Sequence, residues 1–79
     1  MKKIDRLVTR YPEETFLKAD GFDNAILGVD ENVPRLVYSV SRTIKILSKQ
    51  MSEEEAIEYF YFNVVGAYVG EKTPLWVFD

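Results

Sequence analysis

A small α+β domain with a three-stranded antiparallel sheet is predicted by three features of the sequence. Two β-prone runs lie close together in the first half of the chain, two segments of helical periodicity follow, and an apolar run comes last. Strands and helices do not alternate regularly, which favours α+β over α/β. The expected order is α-β-β-α-α-β, with the helices packed on one face of the sheet. Residues 1–79 suit a single domain, with no internal repeat, low-complexity tract or linker to divide them.

Residues 2–11 have the pattern of a short amphipathic helix, with Ile4, Leu7, Val8 and Tyr11 at helical spacing and Lys3, Arg6 and Arg10 elsewhere around it. Pro12 limits it, because the residue before a proline avoids helical geometry. Residues 13–18 form a short extended connector, and Asp20, Gly21, Asp23 and Asn24 form a turn. Residues 25–29 are the first expected strand and residues 35–39 the second. The polar residues between them, with Pro34 as a rigid end, suit an antiparallel hairpin flanked by Val29 and Arg35.

The period then changes. Val40, Ile44, Leu47 and Met51 form one helical stripe, and Ser39 or Ser41 can cap its N-terminus. Ser52 to Glu55 has the S-x-x-E capping-box pattern, and Glu53, Glu54 and Glu55 complement the positive end of the helix dipole. This second helix is expected to reach about Val65, with Gly66 or Gly70 as the stop. Glu71 to Pro74 is a turn, and residues 75–78 are the last strand, in the same sheet as the hairpin.

Composition narrows the chemistry. The chain has no cysteine and no histidine, so disulfides, thiolate sites, the usual general base and the usual metal ligand are all missing. Hydrophobic residues at 47% and aromatics at 14% are enough for a packed core. Thirteen acids against ten bases give a net charge of −3, which argues against nucleic-acid binding through a basic face. No apolar signal-peptide core follows Lys2 and Lys3, and no apolar run reaches membrane-spanning length, so no membrane association is expected and the cytoplasm is the expected compartment.

The long second helix is the most informative stretch. Ile57, Phe60, Tyr61, Val64 and Tyr68 are expected to face the sheet, with Phe60 and Val64 at mid-face. Tyr59 and Phe62 point roughly the other way, near Asn63 and Gly66. A helix apolar nearly all round is covered on more than one side. Either the N-terminal helix covers it through Leu7, Val8 and Tyr11, or Tyr59, Phe62, Asn63 and Gly66 form a protein interface, simplest with a second copy. Arg42, Lys45 and Lys49 make a basic stripe, which is a contact for an anion or acidic partner, a solvated face, or a set of pairs with Glu53, Glu54 and Glu58.

Asp20, Asp23, Asn24 and Asp30 have the right chemistry for a hard cation but the wrong spacing for a calcium loop, and turn chemistry explains them better. Gly66 and Gly70 give G-x-x-x-G, read here as helix termination and close packing. No nucleophile elbow, phosphate-binding glycine loop or S-x-x-K motif is present. No catalytic residue, cofactor or metal ligand is therefore assigned, and the chain is expected not to be an enzyme.

Three strings carry a resemblance: ADGFDNAILGV at residues 19–29, MSEEEAIEYF at 51–60 and FNVVGAYVGEKTP at 62–74. They resemble a group of short proteins of tailed bacteriophages and some bacteria, over residues 18–78. No activity or site residue comes with the group. What the resemblance implies is a phage accessory role in the host cytoplasm, in host take-over or counter-defence. The leading expectation is a non-catalytic accessory protein that acts by binding a protein partner. The alternative is a small-ligand, anion or metal-binding module built on the Asp20–Asn24 turn and the basic stripe.

Overall fold

The computed structural model describes Arg6, Arg10, residues 16–66, Gly70 and residues 72–79. Along the described residues the chain runs through a 3-10 turn (Asp23–Ala25), β1 (Ile26–Asp30), β2 (Arg35–Ser39), α1 (Val40–Leu47), α2 (Glu53–Tyr59), a π-helical extension (Phe60–Val64) and β3 (Leu75–Val77). This is an α+β arrangement, but its order differs from the expected one at the start. A 3-10 turn, closed by Ala25, leads directly into β1. The expected N-terminal helix over residues 2–11 lies outside the described residues, except for Arg6 and Arg10, which are helical and exposed.

β1 and β2 form the expected antiparallel hairpin, with Asp30 opposite Arg35 and Val29 opposite Leu36. Local polar chemistry closes it. The Asp30 carboxylate accepts the Asn32 N–H at 3.0 Å and the Arg35 Nε–H at 3.1 Å. Leu27 has no opposite number, so β1 bulges between Ile26 and Gly28. Gly21, at φ +91°, makes the turn before the 3-10 segment possible, since a side chain there would be strained.

The sheet order is β1-β2-β3, and β3 runs parallel to β2, so the sheet is mixed rather than antiparallel. The cause lies at the strand ends. β2 runs straight into α1, capped by Ser39, whose hydroxyl oxygen accepts the Arg42 N–H at 3.1 Å. Asp79, two residues past β3, returns to that same helix start. Its carboxylate accepts the Ser39 hydroxyl at 2.6 Å and the Ser41 N–H at 2.9 Å. The C-terminal ends of both strands are thus held together, which only a parallel crossover allows.

Residues of α1 and of the π-helical extension pack against the buried residues of the sheet. Ile26, Leu36 and Tyr38 are buried with Phe22 and Ala25, and Ile46, Leu47, Val64 and Trp76 pack against them. The Tyr38 and Trp76 rings lie 5.0 Å apart, and Phe60 meets Trp76 edge-on at 5.2 Å. The Tyr38 hydroxyl accepts the Ala19 N–H at 2.9 Å, tying the incoming chain to the core. Burial and the nearby carboxylates of Asp23 and Asp20 raise the Tyr38 pKa, and the bond from Ala19 works against that shift.

The apolar stripe of α1 is split between core and groove, and the expected face of α2 is rotated. In α1 the buried residue is Thr43, with Ile46 and Leu47 beside it, while Val40 and Ile44 line a groove. Thr43 is tolerated in the interior because its hydroxyl donates to the Ser39 carbonyl at 2.8 Å. Along α2 and its π-helical extension the buried line is Ala56 and Phe60, continued by the half-buried Val64. Ile57 and Tyr61, expected against the sheet, are 40% and 50% exposed. Tyr68 lies outside the described residues.

Candidate protein-binding surface

The Ser52 cap sets the start of α2. Its hydroxyl oxygen accepts the Glu55 N–H at 3.2 Å, and the hydroxyl pairs with the Glu55 carboxylate at 3.0 Å. The helix then loosens. The Val65 N–H donates to the Phe60 carbonyl at 2.9 Å, an i→i+5 bond that widens the turn. Such π-turns inside helices occur frequently at functional sites. Here the widened turn carries Phe60, Tyr61, Phe62, Asn63 and Val64. Phe60 turns inward, and Phe62 turns out into water.

Of the interface residues expected from the sequence, Phe62 and Asn63 lie on this turn, and Tyr59 and Gly66 flank it. Phe62 is 81% exposed and Tyr59 44%, and Asn63 and Gly66 are exposed beside them. Tyr59 and Asn63 separate two clefts. One, of about 350 Å³, is lined by Met51, Glu55, Glu58 and Phe62 together with them. The other, of about 280 Å³, runs past Ala19, Asp20, Phe22, Leu47 and Val64. A projecting phenyl ring beside two shallow clefts, with an amide between them, has the form of a protein-binding surface: an aromatic anchor, flanking pockets and a polar group to fix orientation.

A larger groove, of about 530 Å³, lies between α1 and α2. Val40, Ile44, Ile57 and Tyr61 line its apolar part, and Ser41, Lys45, Ser48, Glu53 and Asp79 its polar part. Phe78 stacks on Tyr61 at 6.3 Å. The Asp79 carboxyl is held down to about 2, chiefly by the Ser39 hydroxyl and then by the Ser41 N–H. This groove and the cluster of Ser39, Ser41 and Asp79 were not foreseen from the sequence. The one available signal was the pair of serines at the start of α1, which showed a cap but not its carboxylate partner.

Arg42, Lys45 and Lys49 are all exposed, and no ion pair joins them to Glu53, Glu54 or Glu58 among the described residues. The three aspartates of the early turn are not brought together as a site. Asp23 pairs with Lys18 at 3.7 Å and Asp30 with Arg35 at 3.1 Å, while Asp20 is exposed. The bonds from Asn32 and Arg35 lower the Asp30 pKa. Among the described residues no group of three acidic, histidine or cysteine side chains is placed to hold a metal ion, and no helix is long and apolar enough to cross a membrane.

Comparison with known family models, with curated proteins and with solved structures gives no match.

Proposed function

We propose that this chain is a non-catalytic accessory protein that works by binding a protein partner through the face formed by Tyr59, Phe62, Asn63 and Gly66. One observation carries the reading: Phe62 projects into water from a π-turn while Phe60, two residues earlier, is fully buried. Fully burying a phenylalanine is worth about 1.5–3 kcal/mol, and at 81% exposure most of that remains available to a partner. Aromatic residues ringed by shallow clefts are the usual anchors of protein interfaces. The resemblance to short phage proteins supports an accessory role in host take-over or counter-defence, in the host cytoplasm.

The test is comparative affinity capture from expressing host cells, using the wild type and a Tyr59→Ser/Phe62→Ser double variant. The expected result is a stoichiometric partner held by the wild type and lost from a double variant that melts like the wild type. Identical capture by both proteins would refute this surface. So would a large loss of thermal stability in the double variant, because the two aromatics would then belong to the core.

A further inference from the structure

We propose a second, separate contact: self-association of this chain through the groove between α1 and α2, with a second copy as its occupant. The argument rests on how charge is distributed across one face. Val40 and Ile44 of α1, Ile57 of α2 and Tyr61 of its π-helical extension give the groove an apolar floor. Lys45 stands on the α1 side of the groove and Glu53 on the α2 side. Behind Lys45, on α1, lie the exposed Arg42 and Lys49, and behind Glu53, on α2, the exposed Glu54 and Glu58. Among the described residues, none of these charges has an ion-pair partner within the chain. One bank is therefore basic, the other acidic, and both are unused.

A surface of this kind is complementary to itself. A two-fold axis along the groove places the α1 of one copy over the α2 of the other. Each basic bank then meets an acidic bank, and the two apolar floors face each other. The four helices form a short bundle layer whose centre is filled by the groove residues and whose edges are paired charges. The Asp79 carboxylate, which also lines the groove, needs no partner in such a layer, because Ser39 and Ser41 already satisfy it. A different protein would fit equally well only if it carried the same two segregated banks in the same register. Exposed ion pairs are screened by salt, so the association is salt-sensitive.

Sedimentation equilibrium on the full chain tests this with two charge-reversed proteins. The first, Lys45→Glu/Lys49→Glu, has two acidic banks. The second, Glu53→Lys/Glu54→Lys, has two basic banks. The wild type is expected to self-associate at low salt and to weaken as salt rises. Each reversed protein alone should associate roughly tenfold or more weakly than the wild type. Mixing the two should restore association, since every bank then meets its opposite. Thermal melts and circular dichroism of each protein establish that it is folded. If a reversed protein does not fold, the wild type's association and its salt dependence decide the question alone. A wild type that is monomeric at every loading overturns the proposal. So do folded reversed proteins that self-associate like the wild type, or a mixture that stays monomeric. The Tyr59→Ser/Phe62→Ser variant should self-associate normally, so failure here and failure of the partner-binding face are distinguishable.

Discussion

Truncating Phe60 to alanine removes the ring on which the packing of the C-terminal half converges. Phe60 is fully buried, meets Trp76 edge-on at 5.2 Å and Tyr61 at 5.4 Å, and lies 6.4 Å from Phe78. Its loss leaves a cavity between α2 and β3 that the short strand cannot collapse to fill. Phenylalanine-to-alanine changes in cores cost about 3–5 kcal/mol. At about 0.05–0.15 kcal/mol per residue, a domain of this length holds about 4–12 kcal/mol in total. The substitution therefore removes roughly a quarter or more of the stability and leaves a weaker domain partly unfolded at room temperature. Urea denaturation followed by Trp76 fluorescence is the natural assay, because that indole lies against the deleted ring. With a slope of about 1–3 kcal/mol per molar urea, the midpoint should fall by roughly 1 M or more. Phe62→Ala, two residues away, should shift the midpoint little, at about 0.5 kcal/mol or less, as for other surface changes. Equal effects at the two positions, or no effect at Phe60, would show that the helix is turned the wrong way.

Further outcomes follow from individual bonds. Tyr38→Phe leaves the Ala19 N–H without its acceptor and should cost about 1–2 kcal/mol in a chemical melt, with the loss appearing as looser packing of residues 16–19 by hydrogen exchange. The Asp79 carboxyl is depressed to about 2 in the folded chain against an ordinary value of 3.8. Its contribution is therefore complete above about pH 4 and is lost as pH falls towards 2. Asp79→Asn should remove that acid-dependent part of the thermal stability, and a melt profile unchanged between pH 5 and pH 2 in both proteins would contradict it. Asp30, also depressed, acts with the same sign in the hairpin. Calorimetric titration with calcium, magnesium and zinc should give flat isotherms, and a stoichiometric calcium isotherm abolished by Asp23→Ala would revive the metal-binding alternative.

What could be read from the sequence was local. The hairpin is held by Asp30, Asn32 and Arg35 within a six-residue span, and the caps at Ser39 and Ser52 act within three residues. Turn and capping chemistry needs no knowledge of the rest of the chain. The parallel alignment of β3 was not legible, because it depends on Asp79 meeting Ser39 across forty residues. The apolar stripe of α1 is divided for a related reason, with Leu47 on the core and Val40 and Ile44 in the groove. A satisfied Thr43 can occupy the core, which leaves Val40 and Ile44 free to line a groove. Phe60, at the start of the π-helical extension, was placed correctly at the centre of the buried face. The i→i+5 bond then shifted everything after it, and no residue pattern announced that bond. Helical spacing alone puts Tyr59 and Phe62 opposite Phe60, and both are exposed, at 44% and 81%. The exposure of Ile57 and Tyr61 was not legible, because it depends on where α1 lies beside them.

Partner binding through the π-turn is tested most directly by photo-crosslinking in expressing host cells. A benzoyl-phenylalanine replacing Phe62 samples whatever contacts that position, and the same group replacing Asn32, an exposed residue of the hairpin turn, serves as the control. The expected result is a discrete protein adduct of defined mass from position 62 that is absent from position 32 and that competes with excess unmodified protein. No adduct at position 62, or the same diffuse adducts from both positions, would contradict a role for Phe62 as the anchor of a protein interface.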